Sequence, residues 1–230
     1  MDYIWQGLVQ AFHLLRTADP ETYSAVWTTL RASSLSVACS LLLGIPAGFL
    51  LGQYRFPGRR FLRLLVDTLL SFPTVVIGLL VYCLISHRGP LGQFELLFTL
   101  PGIAIGQTIL GLPIVVALTA SAVESLDRRL SPTLLTLGAN RIQLLLTSVW
   151  EARFGLLAAA VTAYGRIVSE VGISMMVGGN IKWHTRTITT AIALETNKGK
   201  FAMGIALGLV LMLIAFSVNL VLALLRRKTE

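Results

Sequence analysis

Residues 130–159 read LSPTLLTLGANRIQLLLTSVWEARFGLLAA and separate two long apolar parts of the chain. Apolar side chains such as Leu135 and Ile142 alternate with polar ones such as Asn140 and Arg141. This spacing is typical of a short amphipathic helix. We expect a helical segment that lies between two membrane spans and docks onto a soluble partner. The alternative is an interfacial helix that contacts only lipid headgroups.

The composition indicates a membrane protein. Of 230 residues, 55% are hydrophobic and 13% are charged, whereas soluble globular proteins contain about 25% charged residues. The formal net charge is +8, but the basic residues are scattered through short loops and form no stripe or arm. This distribution favours membrane topology as its explanation and excludes nucleic acid as the expected partner.

The apolar runs predict an all-α integral membrane protein with about five transmembrane helices, since a span needs about 20 apolar residues. The predicted spans cover residues 22–52, 61–86, 100–123, 154–178 and 201–225. Residues 1–21 are predicted to form an interfacial helix, with Tyr3 and Trp5 at the depth of the headgroups. The remaining parts are a polar segment at 124–153, a polar loop at 180–200 and a basic tail at 226–230.

Five spans place the two termini on opposite sides of the membrane. With the C-terminus inside, eleven basic residues are cytoplasmic and six are outside. The inner set is Arg55, Arg59, Arg60, Arg63, Arg128, Arg129, Arg141, Arg153, Arg226, Arg227 and Lys228, and the outer set is Arg16, Arg88, Lys182, Arg186, Lys198 and Lys200. Because Lys and Arg collect in cytoplasmic loops, we expect the N-terminus outside and the polar segment in the cytoplasm.

The sequence carries no recognisable catalytic motif. Gly199-Lys200 is followed by Phe201 and lacks the upstream glycine of a phosphate-binding loop. Nucleophile and metal-ligand motifs are also missing from the sequence. We therefore expect a translocation subunit that is not an enzyme, with energy supplied by a partner or an ion gradient. Arg166 and Glu170 lie in the fourth span at i, i+4 spacing, which suits either a structural pair or a gate.

Two motifs resemble the type I class of ABC importer permeases. The run T-L-G-A-N at 136–140, followed by a span that opens E-A-R-F-G-L-L-A-A, resembles their coupling loop, with Gly138 at the position of its glycine. Residues 164–180 read YGRIVSEVGISMMVGGN. This run is similar to the oxyanion branch of the family, and its combination with A-I-A-L-E-T resembles the tungstate permeases.

The resemblance implies a permease in the cell membrane that works with several partners. These are a second copy of the chain, a cytoplasmic ABC ATPase dimer and an extracytoplasmic oxyanion-binding protein. It implies no cofactor on this chain, with ATP and magnesium bound by the ATPase. The residues implied to couple to the ATPase, on a helix from about 131 to 146, are Ser131, Pro132, Leu135, Leu137, Gly138, Ala139, Asn140 and Arg141.

The resemblance also suggests where the anion passes. The residues expected to line the path or its gate are Arg166, Ser169, Glu170, Gly172, Gly178, Gly179 and Asn180. The cations expected to contact the binding protein are Lys182, Arg186, Lys198 and Lys200. Each hydroxyl is equally compatible with a bond to its own helix, and each cation with simple solvated loop charge.

The implied function is ATP-driven import of an oxyanion by alternating access, with tungstate expected ahead of molybdate or sulfate. The competing class is a stand-alone secondary carrier or channel for anions, which would need no ATPase. A secondary carrier usually contains several intramembrane acids and internal repeats. The sequence has few such acids and no evident repeat.

Overall fold

The computed structural model describes residues 2–17, 19–127 and 129–227, and the predicted tail from Lys228 onward and Arg128 lie outside these ranges. Within them every regular element is helical, with a short 3₁₀ turn at Gly92–Phe94. The α-helices are α1 (Asp2–Arg16), α2 (Pro20–Gln53), α3 (Arg59–Leu70), α4 (Thr74–Ile85), α5 (Leu100–Glu124), α6 (Leu130–Thr136), α7 (Arg141–Glu151), α8 (Arg153–Val168), α9 (Gly172–Gly178), α10 (Ile188–Asn197) and α11 (Phe201–Arg227).

Helices α2 and α5 form the centre of the fold. The side chain of Asp19 caps the start of α2 by accepting a hydrogen bond from the Thr22 amide at 2.8 Å. Three glycines of α2 then face α5, and a Cβ built on Gly48 would lie 2.6 Å from the Val116 carbonyl oxygen. Small residues allow such close approach of two helices in lipid.

Three helices are individually long and apolar enough to cross a membrane, namely α2, α5 and α11. Two further spans arise only if each of two bent helix pairs is counted as one, which gives up to five among the described residues. The second predicted span is therefore not a single helix, because α3 and α4 meet at 100°. Pro73 stands at the bend, where it lacks the N–H that would continue the helix.

The fourth predicted span is also interrupted. Helix α8 ends at Val168 and α9 begins at Gly172, so residues 169–171 form a break inside the predicted range 154–178. Helix α8 is in addition bent by 65° from α7, which precedes it. The bend coincides with the predicted boundary between the polar segment and the fourth span, whereas the apolar composition gave no sign of the break at residues 169–171.

The predicted polar loop at 180–200 contains a buried helix, which corrects that prediction. Helix α10 begins with a capping box in which Thr187 and Thr190 exchange side-chain-to-backbone hydrogen bonds. Its residues Ile188 and Ala191 are buried with Leu207 and Val210 of α11. Threonine-rich composition obscured a helix whose inner face is buried.

The N-terminal helix α1 packs against α11. A Cβ built on Gly7 would lie 2.7 Å from Ile205 Cδ1, so the two helices are in direct contact. Trp5 is exposed, and the side chain of Tyr3 lies outside the described part of the structure. The interfacial position expected for this helix stays a prediction.

The long helices give the molecule two ends. At one end, the ion pair of Arg59 with Glu124 joins α3 to the last turn of α5, next to the polar segment. At the opposite end, Lys182 and Arg186 pair with Glu21 at the start of α2. Helix α2 has 34 residues, which correspond to about 50 Å of α-helix. We call these the polar-segment end and the opposite end.

The close α2–α5 contact makes a stability prediction. Gly48→Ala should lower the unfolding temperature in detergent by several degrees, because its methyl group meets backbone of α5 and core overpacking costs about 1–3 kcal/mol. Gly208→Ala is the matched control, since a Cβ built at Gly208 meets nothing within 4 Å. The control should be neutral or stabilising. Equal unfolding temperatures for the two variants would contradict the packing.

Candidate functional site

The polar segment contains two short helices, whereas the sequence predicted one continuous helix from about 131 to 146. Helix α6 ends at Thr136, and the Ala139 amide donates to the Leu134 carbonyl oxygen while the Gly138 amide donates to that of Leu135. These two bonds form a Schellman motif. Its residue after the cap must adopt positive φ, and Gly138 has φ +80° with open space around it. Gly138 is therefore required by the backbone turn.

Asn140 starts the second helix of the segment immediately afterwards. Its Oδ1 accepts from the Gln143 amide at 2.8 Å, and Gln143 Oε1 accepts from the Asn140 amide at 2.8 Å. This reciprocal capping box satisfies two amides at the start of α7. The turn between α6 and α7 is thus fixed from both sides. The side chains of Ser131 and Arg141 lie outside the described part.

The two helices expose a large apolar surface away from the bundle. Its members are large side chains that point outward at the polar-segment end, namely Leu135, Leu137, Ile142, Leu145, Leu146 and Trp150. Pro132 and Asn140 are also exposed, and Ala139 is half-buried. The Arg153 guanidinium lies 4.8 Å from the Trp150 ring centroid and 4.5 Å from that of Phe154. An apolar patch that ends in polar caps suits a groove on another protein.

The break between α8 and α9 holds the charged pair that the sequence singled out. Arg166 Nη1 lies 3.1 Å from Glu170 Oε2, and Glu170 Oε1 accepts from the Ile173 amide at 3.2 Å. The Glu170 side chain is 3% exposed and that of Arg166 is 43% exposed. The buried carboxylate therefore caps α9, while its cation faces outward. Ser169 is exposed and donates to the Gly165 and Arg166 carbonyl oxygens.

This break lies beside the bend between α3 and α4. A Cβ built on Gly172 would lie 3.4 Å from Val75 Cγ2. A Cβ built on Gly78 would lie 3.2 Å from Ile173 Cα, so α4 and α9 pack at close range. Phe72 and Val171, one from each interruption, have exposed side chains. In a membrane, irregular backbone is tolerated only where it is buried in protein or lines a water-filled cavity.

The turn after α9 is tied to its surroundings. The Gly179 amide donates to the Met175 carbonyl oxygen at 3.1 Å, so that amide has no free hydrogen for an anion. Gly179 has φ +67° and lies against the Phe98 ring. Thr185 Oγ1 donates to the Gly178 carbonyl oxygen. Gly178 and Gly179, two of the seven residues expected at the anion path or its gate, are thus engaged in the local fold.

Asn180 is similarly engaged. Its Oδ1 accepts from Arg186 Nε at 3.2 Å and from Thr190 Oγ1 at 3.0 Å. Arg186 also pairs with Glu21 and its side chain is mostly buried. Arg186 therefore links the turn after α9 to the starts of α2 and α10. The Arg186 side chain therefore has a structural role here.

The other three predicted cations are more accessible, although each has an acidic neighbour. Lys182 Nζ lies 2.6 Å from Glu21 Oε2. Lys198 and Lys200 lie 2.9 and 3.9 Å from the Glu195 carboxylate. The hydrogen bond from Lys198 lowers the pKa of Glu195 below its ordinary value. The i, i+3 spacing of Glu195 and Lys198 was a local signal for their contact, whereas Glu21 and Lys182 are distant in sequence.

A buried amide inside the bundle was missed by the sequence reasoning. Ser36 Oγ lies 3.1 Å from Gln107 Oε1, and Gln107 Nε2 donates to Ser174 Oγ at 3.3 Å. These side-chain hydrogen bonds therefore link α2, α5 and α9. The available signal was that Gln107 is the one amide side chain in the predicted span 100–123. Within the described residues, no group of three His, Cys, Asp or Glu side chains is arranged to hold a metal ion.

Known proteins are similar to this chain in sequence and in fold. Residues 44–230 match the family described as "Binding-protein-dependent transport system inner membrane component". Over 227 residues the chain is 52% identical to the tungstate uptake system permease protein TupB of Campylobacter jejuni subsp. jejuni serotype O:2, and the match covers 99% of this chain and 95% of that protein.

A second relative and a solved structure extend the comparison. The molybdenum transport system permease protein ModB of Escherichia coli strain K12 is 31% identical over 182 residues, covering 76% of this chain and 79% of that protein. A structure of inward facing conformations of the MetNI methionine ABC transporter is similar with a TM-score of 0.75. It shares 18% identity and covers 91% of this chain and 96% of that chain, so this likeness shows the fold.

The charged pair at the α8–α9 break can be tested by a double-mutant cycle. Arg166→Gln should lower the unfolding temperature in detergent because it leaves the buried Glu170 carboxylate without its cation. Fully buried pairs cost about 3–5 kcal/mol when broken, and the exposure of Arg166 reduces this to about 1–2 kcal/mol. The double variant with Glu170→Gln should regain most of the loss, whereas additive losses would show that the two groups do not interact.

Proposed function

The chain belongs to the family of binding-protein-dependent transport system inner membrane components, and we propose that it is the permease subunit of an ATP-driven tungstate importer. The assignment of tungstate as the substrate rests on the 52% identity to a tungstate uptake permease over nearly the whole of both chains. The fold supports the same conclusion, because it resembles the membrane subunit of an ABC transporter. The relationship to ModB supports molybdate as the second candidate substrate.

The proposed energy source is a cytoplasmic ABC ATPase dimer that binds ATP and magnesium. The exposed apolar patch on α6 and α7 is the proposed docking surface. The Schellman motif and the capping box hold the two helices at a fixed angle, so that a push on either helix moves both. A rigid lever of this kind suits a switch between two discrete states.

The proposed topology has the N-terminus outside and the C-terminus in the cytoplasm. Arg55 and Arg60 lie in and after the turn between α2 and α3, and Arg59 pairs with Glu124 at the end of α5. These arginines share the polar-segment end, which supports a cytoplasmic position for it. Helix α10 and the ion pairs of Glu21 would then face outward.

The proposed path for the anion lies between two copies of the chain. Its lining would include the two helix interruptions that lie side by side, at residues 71–73 and 169–171. Broken helices are a recurring feature of substrate sites in transporters. Arg166, Ser169 and Gly172 lie at the second interruption, and the Arg166–Glu170 pair is the proposed gate. A homodimer would bring two such pairs to the same path.

The proposed contact with the extracytoplasmic binding protein lies at the opposite end. Lys182, Lys198 and Lys200 retain exposed side chains there, and acidic groups on a partner would complement them. Arg186 is a weaker candidate because Glu21 and Asn180 already occupy its guanidinium. Its proposed role is to hold the turn that carries Lys182.

The docking surface can be tested with matched leucine truncations. Leu137→Ala with Leu146→Ala should abolish co-purification of the co-expressed ATPase and reduce uptake by at least about tenfold, because it removes exposed anchors of about 2 kcal/mol or more. Leu42→Ala with Leu43→Ala is the control, since Leu42 is 76% exposed and Leu137 is 77% exposed. The control should retain the ATPase.

Failure of the wild-type chain to co-purify with any ATPase would overturn the coupled mechanism. That outcome would favour a stand-alone anion carrier or channel. Equal ATPase retention by both double variants would instead reject the docking surface while leaving the transporter class intact.

The substrate can be tested by uptake into cells that express the complete transporter. Tungstate should accumulate in a manner that depends on ATP hydrolysis, and a tenfold excess of molybdate or sulfate should compete only weakly. The preference reflects the binding protein, because a permease that held the anion tightly would slow its release. Titration calorimetry of that binding protein with each oxyanion provides the independent check, and tighter binding of molybdate would reverse the assignment.

A further inference from the structure

The bent pair α3–α4 encloses an apolar slot to which the proposed transport function assigns no ligand. The slot has a volume of about 730 Å³ and is lined by α2, α3, α4 and α5. Helix α3 contributes Leu62, Leu65, Val66 and Leu69, which at i, i+3, i+4 and i+7 form one helix face. On this face Leu62, Leu65 and Leu69 remain exposed, whereas Val66 is partly buried against the α2–α5 core.

A basic pocket adjoins the slot. It has a volume of about 510 Å³ and is lined by Arg55, Phe56, Gly58, Arg59 and Arg60. Phe56 belongs to the walls of both cavities, so the apolar slot and the basic pocket are direct neighbours. Together the two cavities offer apolar walls on one side and cationic groups on the other.

The arginines of this pocket differ in how far they are neutralised. Arg59 pairs with Glu124 and donates to the Leu51 carbonyl oxygen. Arg55 and Arg60 are exposed, and neither has a hydrogen bond or ion pair with another described residue. Two positive charges at the mouth of the slot are therefore available to an anionic ligand.

An apolar slot of this size in a membrane protein requires an occupant. Its walls offer almost no polar group to hold water, and apolar cavities do not retain water. The surrounding solvent is lipid, whose acyl chains match the walls chemically. Basic pockets between membrane helices bind anionic headgroups on the cytoplasmic side. The apolar walls and the free arginines together describe a ligand that has a long hydrocarbon chain and a phosphate.

We propose that one anionic phospholipid binds each chain, with an acyl chain in the α3–α4 slot and its phosphate at Arg55 and Arg60. The lipid completes the packing of α3, which otherwise contacts the rest of the chain through one side. Phe72 and Ile77 line the slot on either side of Pro73, so an acyl chain there would also contact the bend. This site goes beyond the proposed transport function: it rests on the cytoplasmic position proposed for the polar-segment end and depends on neither the ATPase nor the oxyanion.

The proposal can be tested by native mass spectrometry of the delipidated full-length chain with added phosphatidylglycerol or phosphatidylcholine. Phosphatidylglycerol should remain bound at one copy per chain under conditions that remove phosphatidylcholine. Arg55→Gln with Arg60→Gln should reduce this retention by about tenfold or more, since each basic residue near an anionic headgroup contributes to binding. Arg16→Gln with Arg88→Gln removes the same charge away from the slot and should leave retention unchanged.

Two further variants address the slot itself. Leu65→Trp fills the slot while keeping both arginines, and it should reduce retention of phosphatidylglycerol. Equal phosphatidylglycerol retention by the wild type and the Arg55/Arg60 variant would overturn the proposal. A second copy of the chain is the alternative occupant. Efficient disulfide cross-linking of two Leu65→Cys chains, with Cys39 and Cys83 replaced by Ser, would assign the slot to that copy and also overturn the proposal.

Discussion

The close approach of α2 and α5 is the contact on which the remaining structure depends. Where α2 meets α5, it carries glycines at positions 44, 48 and 52, so that the backbone of one helix touches the other along this seam. In lipid there is little hydrophobic drive to bring helices together, and close van der Waals packing takes its place. Because α5 leads into the polar segment and α2 begins beside Glu21, this one seam sets the positions of both ends.

Around this seam, the interruptions in the helices occur where polar groups can satisfy them. Glu170 stabilises the break before α9 through two hydrogen bonds. Its carboxylate accepts from the Ile173 amide, and its backbone carbonyl oxygen accepts from Thr189 Oγ1. The bend before α4 packs through Gly78 onto α9. The two irregular places thus support each other. This arrangement explains how a membrane protein retains non-helical backbone within its predicted spans.

Much of this architecture was predictable from the sequence. The all-helical membrane class was predicted from apolar runs and is confirmed, and the family was predicted from the motifs around residues 136–140 and 164–180 and is also confirmed. The turn at Gly138 could also be predicted from the sequence. Glycine is a helix stop signal, and the following Asn140-x-x-Gln143 is a helix start signal.

Other features depend on contacts that no local pattern reports. The 100° bend needs both Pro73 and the packing of α4 on α9. Helix α10 needs the apolar face of α11 to bury its threonine-rich sequence. Glu21 meets Arg186 across 165 positions of sequence. In each case the decisive partner is distant in the chain, so a pattern of neighbours cannot show it.

The length of α2 has one more consequence. Its 34 residues span about 50 Å, whereas the hydrocarbon layer is about 30 Å thick. The helix, which contains Pro46 in its interior, is therefore longer than this layer is thick and can reach beyond it at both ends. Glu21 is bound to basic groups at one tip, and the Leu51 carbonyl oxygen accepts from Arg59 near the other. A tilt of this helix would displace both of its ends at once, so the ion pairs at the opposite end and the Arg59 contact at the polar-segment end are connected through one helix.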